Sequence, residues 1–237
     1  RGFVFSLIVV TGLSAGRLRA ADDAPVDFEV QLDVVKQELE PGFCWFHPRV
    51  AAVPGMGEDG APLVVLTIQK HLVASDHYSG LYFMATRDLG KSWSEPVLPP
   101  ELDWQKGREG ETIAVCDVTP GWHADSKRVI AIGTRLHYSP AGEQLMDRPR
   151  AYGFAYAVYD PQADKWSTWK TLDMPMGEDQ QFYHIAPGCT QWLVKPDGTL
   201  LVPIYFQGKG ETAYASTVVH ASFDGTTLQY VTHGDEM

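Results

Sequence analysis

The three cysteines divide the chain into units of nearly equal length, and this period most constrains the fold. Cys44, Cys116 and Cys189 lie 72 and 73 residues apart. Each cysteine is followed by a turn, an apolar strand-like run, a loop, a second such run and a turn that contains an aspartate. The aspartates of these last turns are Asp88, Asp160 and Asp224. Self-similarity at a fixed period indicates repeated units that bury their faces against their neighbours.

Each unit is predicted to be a four-stranded antiparallel sheet. It contains the strand at the cysteine, the two runs after it, and a last strand such as WSEPVL or WSTWKTL. Tandem four-stranded units are typical of the blades of a β-propeller, whereas a β-sandwich would not explain the period. The predicted divisions are a lead-in segment at 22–43, blade 1 at 44–115, blade 2 at 116–188 and an incomplete blade 3 at 189–237. We therefore expect an all-β chain that holds about the first three blades of a closed ring.

The segment TRDLGKSW has the composition of a self-capped hairpin turn. An aspartate at a hairpin corner accepts hydrogen bonds from the backbone N–H groups that follow it, and a threonine hydroxyl joins the same network. Glycine tolerates the positive φ that such turns require, and a tryptophan ring covers the turn. Thr86, Asp88, Gly90 and Trp93 are therefore predicted to be structural residues.

Charge and hydropathy exclude two classes of partner. The chain carries 30 acidic and 19 basic residues, which gives a net charge of −11. It has no cluster of Lys and Arg of the kind that binds nucleic-acid phosphates. Its apolar runs are too short to span a bilayer. We therefore predict no nucleic-acid partner and no membrane span.

The first residues have the pattern of a secretory signal peptide. The apolar run GFVFSLIVVTGLSAG follows Arg1 and ends in RLRAADDAP, with cleavage predicted near Ala20 or Ala21. A buried strand or a membrane anchor is the alternative interpretation, but the run is short for an anchor. Residues 1–21 are therefore predicted to be a clipped signal peptide, and the protein to be secreted or periplasmic.

The sequence predicts neither a metal site nor a cofactor. No CxxC or HExxH spacing occurs, and the eight histidines are scattered. Because small apolar side chains suit the crowded inner strands of a propeller, we expect the three cysteines to be buried structural thiols.

The turn TRDLGKSW resembles the Asp-box, or BNR, repeat of sialidases and related propellers. FHPRVAAVPG resembles the segment that opens the first sialidase blade, and SDHYSG resembles the segment that carries the acid/base aspartate. APGCTQWLVKPDGTLLVPIY resembles the third-blade segment. The resemblance runs from Phe43 to about Asp224. It implies a six-bladed ring, of which this chain holds the first half, and a secreted exo-acting glycoside hydrolase that removes a terminal acidic sugar.

The resemblance also implies roles for individual residues. Asp76 stands where the family has its catalytic acid/base aspartate, although S-D-H is also a common loop-capping composition. Arg49 is the best match for the first of three arginines that bind the substrate carboxylate. If the segments are aligned on Phe46, His47 takes the place of that arginine. The other two arginines, a nucleophilic tyrosine and its glutamate are expected beyond Met237.

Loops on one predicted face of the propeller carry polar and aromatic groups suited to a sugar acid. Arginine binds a carboxylate through two parallel hydrogen bonds, and local basic residues attract an anion despite a net acidic chain. The predicted substrate-binding residues are Arg49, His47, Lys70, His77, Tyr78, Asp117, Arg135, Arg148, Arg150 and Gln191. A solvated loop is an equal alternative for Arg148 and Arg150, and strand capping is an alternative for Asp117.

Two other functions remain open. The stretch TIQKH stands where the family has an E-x-R pair, and Gln69 and Lys70 do not supply that pair. A propeller enzyme that acts on another acidic polysaccharide is therefore the first alternative. Because Asp-box turns are structural, a non-catalytic carbohydrate-binding propeller is the second.

Overall fold

The computed structural model describes residues 27–30, 32–38, 40–72, 76–145, 152–178, 180–189 and 191–237. The predicted signal peptide at 1–21 lies outside the described residues, as do Arg148 and Arg150. Val35–Met237 forms one compact unit. In the preceding unit, the described residues 27–30 and 32–34 belong to no helix or strand. Within the described part of the chain, no helix has the length and apolar character needed to cross a membrane.

The first sheet is antiparallel, with the strand order β1-β2-β3. Its strands are β1 (Cys44–Val53), β2 (Leu63–His71) and β3 (Tyr78–Thr86). The predicted fourth strand WSEPVL is reduced to a single bridge, in which Val97 and Phe83 exchange backbone hydrogen bonds of 3.0 and 2.9 Å. Pro96 and Pro99 flank Val97 and have no N–H to donate, which explains why the pairing does not extend.

The second sheet has the order β4-β5-β6-β7-β8, and β9 also pairs with β7. Its strands are β4 (Gln105–Lys106), β5 (Thr112–His123), β6 (Arg128–Tyr138), β7 (Gly153–Asp160), β8 (Lys165–Trp166) and β9 (Lys170–Thr171). The predicted last strand WSTWKTL therefore consists of the end of β8 and a separate short β9.

The third sheet has the order β10-β12-β13-β14, and β11 also pairs with β12. Its strands are β10 (His184–Ala186), β11 (Leu193–Val194), β12 (Leu200–Gln207), β13 (Ala215–Phe223) and β14 (Leu228–His233). The segment predicted to lack a clear last strand thus has one, β14.

The predicted blade boundaries are displaced from the observed sheets. β4 and the beginning of β5 belong to the second sheet, although both fall in the segment 44–115 that was predicted to be blade 1. β10 belongs to the third sheet, although it falls in 116–188. The displacement arises because the strand that contains Cys116 begins several residues before it, whereas Cys189 lies in no strand.

Apolar side chains alternate between the two faces of the central sheet, and this alternation stacks the three sheets. On β6, Val129 and Ala131 pack into a cluster with residues of the first sheet such as Leu63. Ile130 and Ile132 point the other way and pack with residues of β12 and β13. Because successive strand residues face opposite sides, one strand contributes to both inter-sheet cores. The expected all-β class is confirmed.

Candidate functional site

β1 and β5 are each interrupted by a bulge that contains a residue with left-handed backbone, and a third such residue lies between β10 and β11. β1 loses its register with β2 around His47, and β5 loses its register with β6 around Asp117. Cys189 lies in the gap between β10 and β11. The φ angles of the three residues are 52°, 56° and 62°. Residues other than glycine rarely adopt this conformation, and bulges commonly re-aim side chains beside active sites.

These three residues meet, and His47, Asp117 and Cys189 are here named the bulge triad. One nitrogen, oxygen or sulfur ligand atom from each lies within 4.8 Å of the others. His47 Nδ1 lies 2.9 Å from Asp117 Oδ1. The Cys189 N–H donates to the Asp117 carbonyl oxygen at 3.1 Å. The preceding residue, Gly188, permits this approach, because a Cβ there would lie 2.4 Å from the Asp117 Cβ.

The surroundings fix the charge of two triad members. Burial opposes ionisation of Asp117, but the contacts with His47 and Cys189 outweigh it and lower its pKa. Burial, followed by the negative charge of Asp117, raises the pKa of the Cys189 thiol to about 11. Arg49 acts in the opposite direction and lowers the pKa of this thiol. Asp117 is therefore ionised and Cys189 is protonated at neutral pH.

Asp76 lies just before β3 and also has left-handed backbone, with a φ of 58°. Its carbonyl oxygen accepts a hydrogen bond of 2.9 Å from the Tyr138 hydroxyl. Burial, followed by the charge of Asp117, raises the pKa of Tyr78, and the charge of Asp76 acts in the same direction. Asp76 thus lies two residues before Tyr78, whose ring centroid is 5.4 Å from that of His47.

Aromatic side chains border the triad. The ring centroid of His47 lies 4.3 Å from that of Phe46 and 5.4 Å from that of Tyr78. Tyr205 lies on β12 of the third sheet. Burial, followed by the charge of Asp117, raises its pKa. Phe46 and Tyr205 are 41% and 42% exposed, so both leave ring surface open to a ligand. Flat apolar rings beside charged groups suit the mixed surface of a sugar.

The sequence reasoning missed one member of this centre, Cys189. Cys189 and Cys44 are exposed, and only Cys116 is buried as expected. The equally spaced cysteines are therefore not equivalent positions; the three residues of the triad are. The available signal is the spacing of the triad itself, 70 and 72 residues, which is as regular as that of the cysteines.

Three predicted substrate-binding residues make contacts other than with the triad. The Lys70 ammonium lies 3.9 Å from the centroid of the Phe43 ring, a cation–π contact. His77 Nε2 lies 3.0 Å from the Gly142 carbonyl oxygen. The exposed Gln191 donates its amide to the carbonyl oxygen of the next residue at 3.0 Å. From the predicted set, the structure brings together His47, Tyr78 and Asp117.

Arg135 lines a separate cleft of about 430 Å³ bounded by β7, β9 and the segment before β10. Burial lowers its pKa, while Asp173 and then Glu111 oppose that effect. Its Nε is buried and has no hydrogen-bond partner among the described residues. Burial, followed by the charge of Arg135, likewise lowers the pKa of His137, and Glu111 acts in the opposite direction. This cleft is lined mainly by apolar residues.

The turn after β3 is held by a dense hydrogen-bond network. The Thr86 hydroxyl donates to Asp88 Oδ1 at 2.7 Å and accepts from the Gly90 N–H at 2.9 Å. Ser92 donates to Asp88 through its N–H at 3.0 Å and its hydroxyl at 2.6 Å. The side-chain and backbone hydrogen bonds from Ser92, and then the bond from Thr86, hold the pKa of Asp88 well below its usual range. Gly90 has a φ of 88°, and Trp93 packs into the neighbouring apolar cluster.

Comparison with known proteins supports the fold and does not establish an activity. No protein-family description matches the sequence, and no curated protein sequence matches it. Among solved structures, the Hadza microbial sialidase Hz136 superposes with a TM-score of 0.56 at 12% identity, covering 81% of this chain and 38% of that one. Trypanosoma rangeli sialidase gives a TM-score of 0.56 at 13% identity, covering 82% and 32%. The same sialidase in complex with sialic acid gives 0.54 at 13% identity, covering 88% and 33%.

The chain spans about a third of the length of the sialidases that it resembles. At this level of identity the similarity concerns the path of the backbone and not the chemistry of the side chains. The antiparallel sheets and these neighbours together confirm the predicted fold class: the chain has a sialidase-like propeller fold.

Proposed function

We propose that this protein is an exo-acting glycoside hydrolase of sialidase type, which removes a terminal acidic sugar from glycans outside the cytoplasm. The proposal is supported by the ion pair of His47 with Asp117 and the ring of Tyr78 beside His47, with Arg49 two residues after His47 and Asp76 two residues before Tyr78, in a fold shared with sialidases. A cation, two carboxylates and an aromatic face are the groups that an acidic sugar requires.

Arg49 is the proposed partner of the sugar carboxylate. Its positive charge acts on Cys189 and lowers the pKa of that thiol. A guanidinium can donate two parallel hydrogen bonds to a carboxylate, and these are short and strong. The rings of Phe46 and Tyr78 are positioned to cover the apolar side of the sugar.

Asp76 is the proposed general acid. In hydrolysis the bond between the anomeric carbon and the glycosidic oxygen breaks, and Asp76 donates a proton to the leaving oxygen. Water then supplies the hydroxyl of the released sugar, and the second proton of that water restores the Asp76 carboxyl. Its left-handed backbone and the hydrogen bond to its carbonyl oxygen from Tyr138 hold the residue in place against the second sheet. A fixed position is what a proton donor to one particular oxygen needs.

One observation favours an acidic sugar other than sialic acid. His47 occupies the bulge position that the sialidase resemblance assigns to an arginine, and the Lys70 ammonium is held over the Phe43 ring. The described part of the centre thus contains one arginine. A single cation still binds a carboxylate, so a hexuronic acid is the second candidate for the sugar removed.

The test measures release of an aryl alcohol from a panel of aryl glycosides of sialic acid, hexuronic acids and neutral sugars. Asp76→Asn is expected to lower kcat on the preferred acidic glycoside at least about a hundredfold. Asp59→Asn is the matched control, because Asp59 is an exposed aspartate with a similar φ of 51° in the turn between β1 and β2. Equal rates for the two variants, or cleavage of neutral glycosides alone, would contradict the proposal.

A further inference from the structure

We propose that the bulge triad binds a divalent transition-metal ion of the zinc type. The three side chains supply one nitrogen, one oxygen and one sulfur, from His47, Asp117 and Cys189, within 4.8 Å of one another. Imidazole, carboxylate and thiolate are the ligands that zinc uses in proteins. The donors come from β1, from β5 and from the segment between β10 and β11. Because these segments are far apart in sequence, no local motif indicates the site.

The spacing of the donors is close to that of a tetrahedral site. Metal–ligand bonds of about 2.0–2.3 Å place tetrahedral ligand atoms roughly 3.3–3.8 Å apart. The His47 and Asp117 atoms are now closer than this, at 2.9 Å, and all three pairs fall within 4.8 Å. No pair is therefore more than about 1 Å from the spacing of a tetrahedral site.

His47 Nδ1 gives an independent reason to expect a cation at this point. The atom is buried and makes no hydrogen bond of acceptable geometry, although Asp117 Oδ1 is 2.9 Å away. Two lone-pair atoms at this distance repel each other unless a proton or a metal ion lies between them. A metal ion beside both atoms would accept a lone pair from each.

The third donor and the surroundings leave room for the ion to enter. Cys189 is exposed, while the side chains of His47 and Asp117 are 17% and 23% exposed. Binding releases the thiol proton of Cys189 to solvent, and the sulfur then coordinates as thiolate. Arg49 is the charged group that opposes a cation here, and the ionised Asp117 offsets it. Three protein ligands leave one position open for water or a ligand.

The open position suggests a use for the ion. A bound dication would add positive charge to a centre that holds one arginine, and would attract the carboxylate of an acidic sugar. This use rests on the proposed function; the metal site itself does not.

The experiment titrates Co²⁺, followed by Zn²⁺, into tag-free protein that has been freed of metal with a chelator. Cobalt bound to a thiolate has an intense near-ultraviolet absorption, so the readout reports the sulfur ligand directly. One ion per chain is expected, with Zn²⁺ displacing Co²⁺. Cys189→Ser is expected to abolish the near-ultraviolet band, and Asp117→Asn and His47→Gln to weaken binding at least about tenfold. Cys44→Ser, which removes an exposed thiol outside the triad, should leave the titration unchanged.

Absence of the band in the wild-type protein, or its persistence in Cys189→Ser, would overturn the proposal. X-ray absorption of the zinc-loaded wild-type protein requires no variant to fold, and a first shell without sulfur would also overturn it. Glycoside hydrolysis by a protein that binds no cobalt would refute the metal site and leave the proposed function standing.

Discussion

Replacing Gln69 with methionine tests how the first two sheets are held together. Gln69 lies on β2 and is fully buried. Its Nε2 donates to the Ser79 carbonyl oxygen at 3.0 Å within the first sheet and to the Val115 carbonyl oxygen at 2.8 Å in the second. Methionine has a similar length and fills the space, but it cannot donate to either oxygen.

The cost follows from the two acceptors left without this donor. A buried acceptor that loses its donor costs about 1–3 kcal/mol. The apolar methionine offsets part of this, because the Gln69 Oε1 is itself buried and has no partner among the described residues. We therefore expect Gln69→Met to lower the free energy of unfolding by about 2–4 kcal/mol. For a chain of this size that corresponds to a fall in Tm of roughly 5–15 °C.

Urea unfolding followed by tryptophan fluorescence measures this change. The matched control is Gln229→Met on β14, where the side chain is exposed and the expected change is within about 0.5 kcal/mol. A loss below about 1 kcal/mol for Gln69→Met, or a loss equal to that of the control, would refute the idea that this amide joins the sheets.

Three further predictions concern the centre and the titratable groups around it. Gly188→Ala places a Cβ 2.4 Å from that of Asp117. The substitution should therefore lower the free energy of unfolding by about 1–3 kcal/mol and weaken cobalt binding. Gly42→Ala is the control and should do neither, because a Cβ at Gly42 has nothing within 4 Å. Hydrogen bonds lower the pKa of Asp88. The stability that its turn contributes is therefore present above about pH 4 and is lost as the pH falls below that value. In thermal denaturation at pH 3–5, the Tm of Asp88→Asn should depend less on pH than the Tm of the wild-type protein. His137 has a pKa lowered mainly by burial, so stability should fall as pH drops below about 6.5, and His137→Gln should remove that component of the urea-unfolding profile.

The sequence predicted what depends on local chemistry. Alternating apolar runs place most long strands, because the period of two is a property of the extended backbone. The hydrogen bonds of the turn at Asp88 involve residues within six positions of one another, so composition alone indicates which side chains take part.

The centre depends on contacts that sequence spacing does not specify. The cysteines stand at different distances from the triad residues. Cys44 lies three residues before His47, Cys116 lies one residue before Asp117, and Cys189 is itself a member of the triad. The regular spacing of the cysteines therefore misidentified which residues meet, and the metal-type donors of the bulge triad come from three sheets. Lys70 carries the charge expected of a binding residue, but the neighbouring Phe43 ring holds its ammonium.

The most direct test of the account is whether the centre recognises a carboxylate through Arg49. Isothermal titration calorimetry would compare an acidic sugar with its carboxamide, using the wild-type protein and Arg49→Met. The account predicts that the wild-type protein binds the acid at least about tenfold more tightly than the amide, and that Arg49→Met removes this preference. Equal affinity for acid and amide in the wild-type protein, or a preference that survives Arg49→Met, would contradict it.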